Sequence, residues 1–255
     1  MARMSILAAA VITVAVQIGC GSQFGMRRFA GPVEPVATQV SEEMTIGDDR
    51  GITYSQGRLE IKLRPLTDEI LNRQLASYAP DKSSFYLNPY EFDLNPYTYG
   101  YHTRPESRSP TKRFTVFNLK VKNYEYPKVL LDPRKIKLVS SNGREYEALS
   151  LAAMVEYYWP YAIAYAGNTY IKFEERKDLL TRTLYKREQP IFSGQDYSGF
   201  VVFPLLHKDV TDFVIMIDGV AVRFDFRNEP VETVDLAYQF SREVYTAKQP
   251  KEGHY

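Results

Sequence analysis

The chain of 255 residues has little of the residue types on which many metal and redox sites depend, with one cysteine and three histidines. A single cysteine excludes a disulfide scaffold, a cysteine-ligated zinc finger and an iron–sulfur cluster. The charge is nearly balanced, with 32 Lys and Arg against 31 Asp and Glu, which argues against a nucleic-acid binder with a strongly basic surface. At 44% hydrophobic, the chain still has enough apolar content for a core in one or two domains.

The motifs of common catalytic folds are also missing. The sequence contains no Gly-x-Ser-x-Gly elbow, no Walker loop, no Gly-x-Gly-x-x-Gly and no His-Glu-x-x-His. We therefore predict no catalytic residue, no cofactor and no metal site. A carboxylate pair for glycoside cleavage leaves no spacing signature, so an enzyme of that kind stays an alternative.

The N-terminus is typical of an export signal. Arg3 is the only charged residue among the first 26, and an apolar stretch follows over residues 5–16. This stretch is shorter than the ~20 residues that a helix needs to cross a bilayer. A short positive segment, an apolar stretch and small residues after it predict a signal peptide over residues 1–19.

Gly19 and Cys20 follow this apolar stretch directly. The pair resembles the lipobox of bacterial lipoproteins, in which the chain is cut before the cysteine and its sulfur receives a diacylglycerol. The resemblance implies lipidation of Cys20. Gln17 stands where the family has an apolar residue, so an ordinary signal peptide is the alternative. Gly21, in place of the aspartate of inner-membrane retention, favours an outer-membrane location.

Three further parts are predicted after the signal peptide. Residues 20–55 contain scattered Gly and Pro without a persistent period, which predicts a flexible tether. Residues 56–245 form the predicted folded domain, and residues 246–255 form a polar tail.

The folded domain has the pattern of β-structure. In residues 59–63, aliphatic side chains alternate with charged ones, as in a half-buried strand. Asn142-Gly143 and Asp218-Gly219 each separate two apolar runs, and both pairs are typical of a tight hairpin turn. Seven or eight such strands, without the alternation of a doubly wound fold, predict a mainly β chain and a β-sandwich.

The strand pattern of residues 114–123 is followed by Leu131-Asp132-Pro133, by residues 136–143 and by residues 198–204. This arrangement is similar to the immunoglobulin-like, telokin-like domains of bacterial lipoproteins. The resemblance implies an immunoglobulin-like β-sandwich over about residues 110–230. Those domains are mostly of unknown function, so the resemblance implies no catalytic residue.

Residues 149–186 interrupt the strand pattern and predict a helical insertion. Residues 149–166 are apolar and aromatic, but Glu156 lies within them and Pro160 breaks them, so they cannot form a clean transmembrane helix. Residues 172–186 have the spacing of an amphipathic helix. The insertion is predicted to pack against one end of the sandwich, with membrane or partner contact as the alternative.

Residues 85–101 are rich in aromatic side chains and contain two Asn-Pro-Tyr triplets, which predict turns. Tyrosine combines an apolar ring with a hydroxyl that forms hydrogen bonds, which suits recognition of sugars or proteins. The segment is predicted either to cover an edge of the core or to form a contact surface. The candidate contact residues are Tyr86, Tyr90, Phe92, Tyr97, Tyr99 and Tyr101.

Together these patterns predict a lipid-anchored, extracytoplasmic binding or structural module of the cell envelope, without catalysis. Membrane contact is expected through the N-terminal lipid, and the expected partner is an envelope protein or polysaccharide, not a nucleic acid. Two alternatives stay open. One is an envelope hydrolase with a carboxylate pair. The other is an accessory subunit of a secretion or transport complex that docks through residues 149–166.

Overall fold

The computed structural model describes residues 26–75, 95–97, 114–164, 168–187 and 189–248. Contacts group the chain into a larger unit, Pro32–Arg242, and a smaller one formed by Met1–Gly31 with Glu243–Tyr255. The strands are β1 (Met26–Pro35), β2 (Met44–Ile46), β3 (Ile52–Gln56), β4 (Leu59–Leu66), β5 (Phe114–Asn123), β6 (Lys128–Val129), β7 (Ile136–Ser140), β8 (Glu145–Glu147), β9 (Ile191–Phe192), β10 (Gln195–Pro204), β11 (Asp212–Phe224) and β12 (Pro230–Lys248). The α-helices are α1 (Asp68–Leu75), α2 (Leu151–Ala164) and α3 (Asn168–Thr183).

The strands form two five-stranded antiparallel sheets and a small ribbon. The first sheet has the order β1-β12-β11-β7-β8, and the second has the order β10-β5-β4-β3-β2. The ribbon pairs β6 with β9. Apolar side chains from both large sheets join in one core, which confirms the predicted mainly β class and the β-sandwich.

A buried tyrosine links the two sheets through this core. Tyr238 on β12 has no exposed surface, and its hydroxyl donates a hydrogen bond of 2.8 Å to the carbonyl of Ile61 on β4. A buried hydroxyl without a partner is unfavourable, so this bond satisfies the polar end of a large apolar side chain. Because the two residues belong to different sheets, the bond also fixes how the sheets face each other.

A second core lies on the outer face of the second sheet. Along β5, the residues that point outward change in character: Phe114 and Val116 are buried, whereas Asn118, Lys120 and Lys122 are half-buried. The helices cover only the apolar part. The buried members of this core are Leu66, Leu71, Leu75, Tyr97, Phe114, Val116, Met154, Tyr158, Phe173, Leu179, Leu180, Leu184 and Val202.

The rest of this outer face carries paired charges. The Nζ atom of Lys120 lies 2.6 Å from a carboxylate oxygen of Asp196, and that of Lys122 lies 2.7 Å from Glu60. Such solvated pairs contribute little to stability. Their main effect is to keep this part of the sheet compatible with water where no helix covers it.

The insertion also closes the free edge of β10. The N–H of Tyr185 donates to the carbonyl of Phe200 at 3.0 Å, and the N–H of Leu149 donates to that of Val202 at 2.7 Å. Gly199 allows this approach, because a Cβ atom there would lie 2.5 Å from the Cα of Tyr185. An uncovered edge strand of this length would be a site for unwanted pairing with other chains.

Two predictions about local structure are confirmed. The helices α2 and α3 occupy the predicted insertion, residues 149–186. Asn142-Gly143 lies in the turn between β7 and β8, where Gly143 has a φ of +82° and donates its N–H to Ser140.

The hairpin predicted at Asp218-Gly219 is wrong. β11 runs through this pair, and its pairing with β12 shifts register between Ile217 and Val220. Gly219 has a φ of +67° and donates its N–H to Asp235 at 2.6 Å, so the glycine serves a β-bulge rather than a turn. The chain reverses instead at residues 225–229, between β11 and β12.

The flexible tether predicted over residues 20–55 is also wrong for most of its length. β1, β2 and β3 all lie within it, whereas residues 20–25 lie outside the described residues. β1 is an edge strand, where proline is tolerated because one side needs no ladder hydrogen bond. Pro32 and Pro35 therefore obscured a strand in the sequence. At the other end, β12 extends to Lys248, into the predicted polar tail.

We expect Gly199→Ala to lower the free energy of unfolding by about 1–3 kcal/mol, because backbone atoms must shift to admit the methyl group. Urea denaturation measures this change. Ser198→Ala, at the exposed neighbouring position, is the control and should stay within about 0.5 kcal/mol of the wild type. An unchanged Gly199→Ala midpoint would show that the insertion does not seal this edge.

Candidate functional site

Among the residues predicted from sequence, only Tyr97 falls in the described part of the chain. It is 2% exposed, its hydroxyl lies 2.6 Å from that of Thr183, and its ring meets Phe200 edge-on at 5.3 Å. Burial raises the pKa of its hydroxyl. Tyr97 is therefore part of the second core and not of an exposed contact surface. Outside the described residues lie Cys20, Tyr86, Tyr90, Phe92, Tyr99 and Tyr101.

The described residues bring together no group of three or more histidine, cysteine, aspartate or glutamate side chains that could hold a metal ion. In the same part of the chain, the helices are too short or too polar to cross a membrane. Neither feature therefore defines a site.

Three carboxylates whose pKa is clearly shifted are poor proton donors at neutral pH, because the shift lowers the pKa. The hydrogen bond from Arg134, whose Nη2 lies 2.6 Å away, is the main cause that lowers the pKa of Asp132. The acid of a glycosidase needs a raised pKa, so that it carries its proton at neutral pH. Hydrogen bonds from Lys120 and Arg144 likewise lower the pKa of Asp196 and of Asp209.

His207 belongs to a group of contacts that ties two loops together. Arg144 grips the carboxylate of Asp209 with two nitrogens, at 2.9 and 2.8 Å, and the Nδ1 of His207 lies 2.6 Å from the same carboxylate. The backbone of His207 accepts a hydrogen bond from Arg242 and donates one to the Tyr146 hydroxyl. Within the described residues, the imidazole meets no serine, threonine or cysteine nucleophile. The group therefore fixes the β10–β11 loop to the β7–β8 turn.

The turn between β11 and β12 presents a phenylalanine to solvent. Phe226 is 91% exposed. Asp225 holds the turn, because its Oδ1 accepts hydrogen bonds from the N–H groups of Arg227 and Glu229 at 2.9 and 2.8 Å. Asn228 takes the left-handed conformation, with a φ of +67°, which asparagine tolerates better than most residues. Phe226 thus stands on a well-defined backbone.

Two more phenylalanines and two cations lie beside this turn. The Nζ atom of Lys128 is 3.6 Å from the ring centroid of Phe224 and also hydrogen-bonds to Asn228. Phe192 is directly opposite Lys128 in the β6–β9 ribbon, so both side chains share one face. The guanidinium of Arg227 lies 5.2 Å from the Phe226 ring centroid. We call Lys128, Phe192, Phe224, Phe226 and Arg227 the hairpin-end surface.

Sequence reasoning missed this surface. Phe224 and Phe226 continue the alternation of β11, so both were expected to lie on the second strand of the wrongly predicted hairpin. The available signal was Asp225 followed by Asn228, since these residue types favour turns and Asp binds backbone N–H groups two residues on.

Comparison of the chain with protein-family models, with curated proteins and with solved structures gives no match.

We expect Asp225→Ala to lower the free energy of unfolding by about 1 kcal/mol, since two N–H groups lose their acceptor. Amide hydrogen exchange at Arg227 and Glu229 should also become faster. Asp225→Asn keeps an acceptor oxygen and is the matched control, with stability within about 0.5 kcal/mol of the wild type. Equal exchange rates in both variants would contradict the role given to this carboxylate.

The lowered pKa of Asp132 predicts how its contribution depends on pH. Because the pKa is lower in the folded chain than in the unfolded one, ionised Asp132 stabilises the fold above about pH 4. This contribution is lost as the pH falls further, through the folded-state pKa. The difference in unfolding free energy between the wild type and Asp132→Asn, measured by urea denaturation, should shrink below about pH 4. A difference that is constant from neutral to acidic pH would contradict this assignment.

Proposed function

We propose that the protein is a lipid-anchored binding module of a bacterial cell envelope, which presents its hairpin-end surface to a partner. The observation that carries the binding role is the 91% exposure of Phe226 on a turn held by Asp225. A group of exposed aromatic side chains on an ordered backbone, such as Phe226 with Phe192, is typical of a contact surface. The anchoring role is supported by the apolar stretch of residues 5–16 and by Gly19-Cys20.

The course of the chain is compatible with both roles. Within the larger unit, which begins at Pro32, the N–H of Val36 donates to the carbonyl of Gln239 on β12 at 3.1 Å. β12 begins at Pro230, directly after the turn that carries Phe226, and Gln239 lies nine positions after Pro230. At ~3.4 Å per residue this is roughly 30 Å. The chain thus enters this unit away from the hairpin-end surface.

The finer fold assignment belongs to the same proposal. The antiparallel sandwich and the confirmed β7–β8 hairpin support an immunoglobulin-like domain similar to the telokin-like domains of bacterial lipoproteins. An outer-membrane location is proposed because Gly21, and not aspartate, follows Cys20.

A second candidate is an accessory subunit that docks through the insertion. On α2, Tyr157 and Trp159 are 38% and 47% exposed. Both rings also pack inside the protein, Tyr157 against Phe114 and Trp159 against Phe173. The hairpin-end surface is favoured, because Phe226 is more exposed than either of them.

We expect intact-mass measurement of the membrane-extracted protein to give a chain that starts at Cys20 and carries added lipid mass. Cys20→Ser should lack this mass, because serine offers no thiol for the diacylglycerol. Ser22→Ala is the matched control and should be lipidated like the wild type. A chain cut at another position, without lipid, would reject the anchoring role.

A further inference from the structure

We infer that the hairpin-end surface docks onto a partner protein that offers an apolar pocket with acidic residues at its rim. This inference rests on the proposed function, in that the hairpin-end surface is taken as the binding surface. It adds the chemical class of the partner and the role of each residue.

The shape of the surface favours a pocket over a flat ligand. Phe226 is 91% exposed, whereas Phe192 is 49% exposed and Phe224 is partly buried beneath Lys128. A ring that projects this far makes the surface convex. It can bury most of its area only in a pocket of the partner. Sugar chains usually stack on open aromatic platforms, which a lone projecting ring does not provide. Enclosed aromatic anchors are the side chains that dominate the affinity of protein interfaces.

The turn is also prepared for binding before any partner arrives. Asp225 accepts two backbone hydrogen bonds from the turn, and its own N–H donates to the carbonyl of Glu229 at 2.9 Å. A segment that is already ordered loses less conformational entropy when it binds. The backbone that carries Phe226 is therefore already ordered before a partner binds.

The two cations of the surface supply the charge argument. Lys128 lies over the ring of Phe224, and Arg227 lies beside the ring of Phe226. Within the described residues, neither has a carboxylate oxygen within 4 Å. Nearby cations differ, since Arg223 lies 2.8 Å from Glu232 and Arg58 lies 3.8 Å from Glu125. Two cations beside exposed aromatic rings are complementary to carboxylates at the rim of a pocket that receives such a ring.

The same turn argues against an extended anionic partner. Asp225 and Glu229 flank Phe226 and Arg227 in sequence, so the turn itself carries two acidic residues and one basic residue. Proteins bind anionic membranes and polyanions through clusters of several cations. The balance here fits local pairing with one or two carboxylates.

Photo-crosslinking of the full-length protein in its membrane tests this inference. p-Benzoylphenylalanine replaces Phe226 in one variant and Val40 in the control, since Val40 is 55% exposed and lies in another part of the larger unit. We expect a protein adduct of defined mass from position 226 and none from position 40. The same adducts at both positions, adducts only with lipid or polysaccharide, or no adduct at position 226 would overturn the inference.

Binding of the crosslinked protein, once it is identified by mass spectrometry and purified, gives the second test. Phe226→Ser should weaken its dissociation constant by about tenfold or more, and Arg227→Glu should do the same. Val40→Ser should change it by less than about twofold. Affinity should fall as salt is raised, and less steeply for Arg227→Gln than for the wild type. Equal affinities for the wild type and Phe226→Ser would reject the pocket.

Failure of this inference can be told apart from failure of the proposed function. The lipid mass on Cys20 is measured in the same membranes that are irradiated. Lipid on Cys20 without any adduct at position 226 keeps the anchoring role and rejects both the partner class and the binding role of this surface. An adduct with polysaccharide at position 226 keeps the binding role and rejects only the partner class. An adduct without lipid keeps the partner class and rejects the anchor.

Discussion

The arrangement of the molecule depends on one constraint, which is that β5 must be apolar on both faces at its beginning and on one face afterwards. Phe114 and Val116 face the helices, whereas Phe117 and Leu119 face the space between the sheets. From Asn118 onwards the outward residues are polar. The insertion can therefore pack at only one end of the sheet. Its two ends then reach β10, where Tyr185 and Leu149 bond to the strand edge.

Much of the fold could be predicted from sequence where the local signal and the tertiary role agree. The alternation of residues 59–63 and the Asn142-Gly143 turn have this property, and so has the apolar insertion. Asp218-Gly219 misled because a glycine with positive φ fits a bulge as well as a turn, and only the pairing partner decides between them. β1 was missed because its neighbour in the sheet is β12, which lies about 200 residues later in the chain.

The candidate site was harder to predict than the fold. Tyr97 is of a residue type common at contact surfaces. The second core nevertheless encloses its ring, and its hydroxyl forms a hydrogen bond with the hydroxyl of Thr183. Phe226 is of a residue type common in cores. It nevertheless follows Asp225, the residue that holds the turn, and its side chain projects into solvent. Aromatic content alone does not separate the two, because exposure is set by the position of a turn that sequence reasoning had placed seven residues earlier. In this chain, the residue that fixes the turn is therefore more informative than the aromatic residue beside it.

The two ends of the sandwich are built for different tasks. At the end where β12 leaves the larger unit, Arg242 donates to carbonyls of the β10–β11 loop, and Arg144 holds the same loop through Asp209. The hydrogen bonds of Arg144 and Arg242 are made within the protein. These side chains therefore stabilise loops and offer few hydrogen bonds to a ligand. At the other end, the hydrogen bonds of Asp225 satisfy only the backbone of the turn. The turn does not use the side chains of Phe226 and Arg227 for its own stability, so the proposed contact with a partner would leave the turn intact.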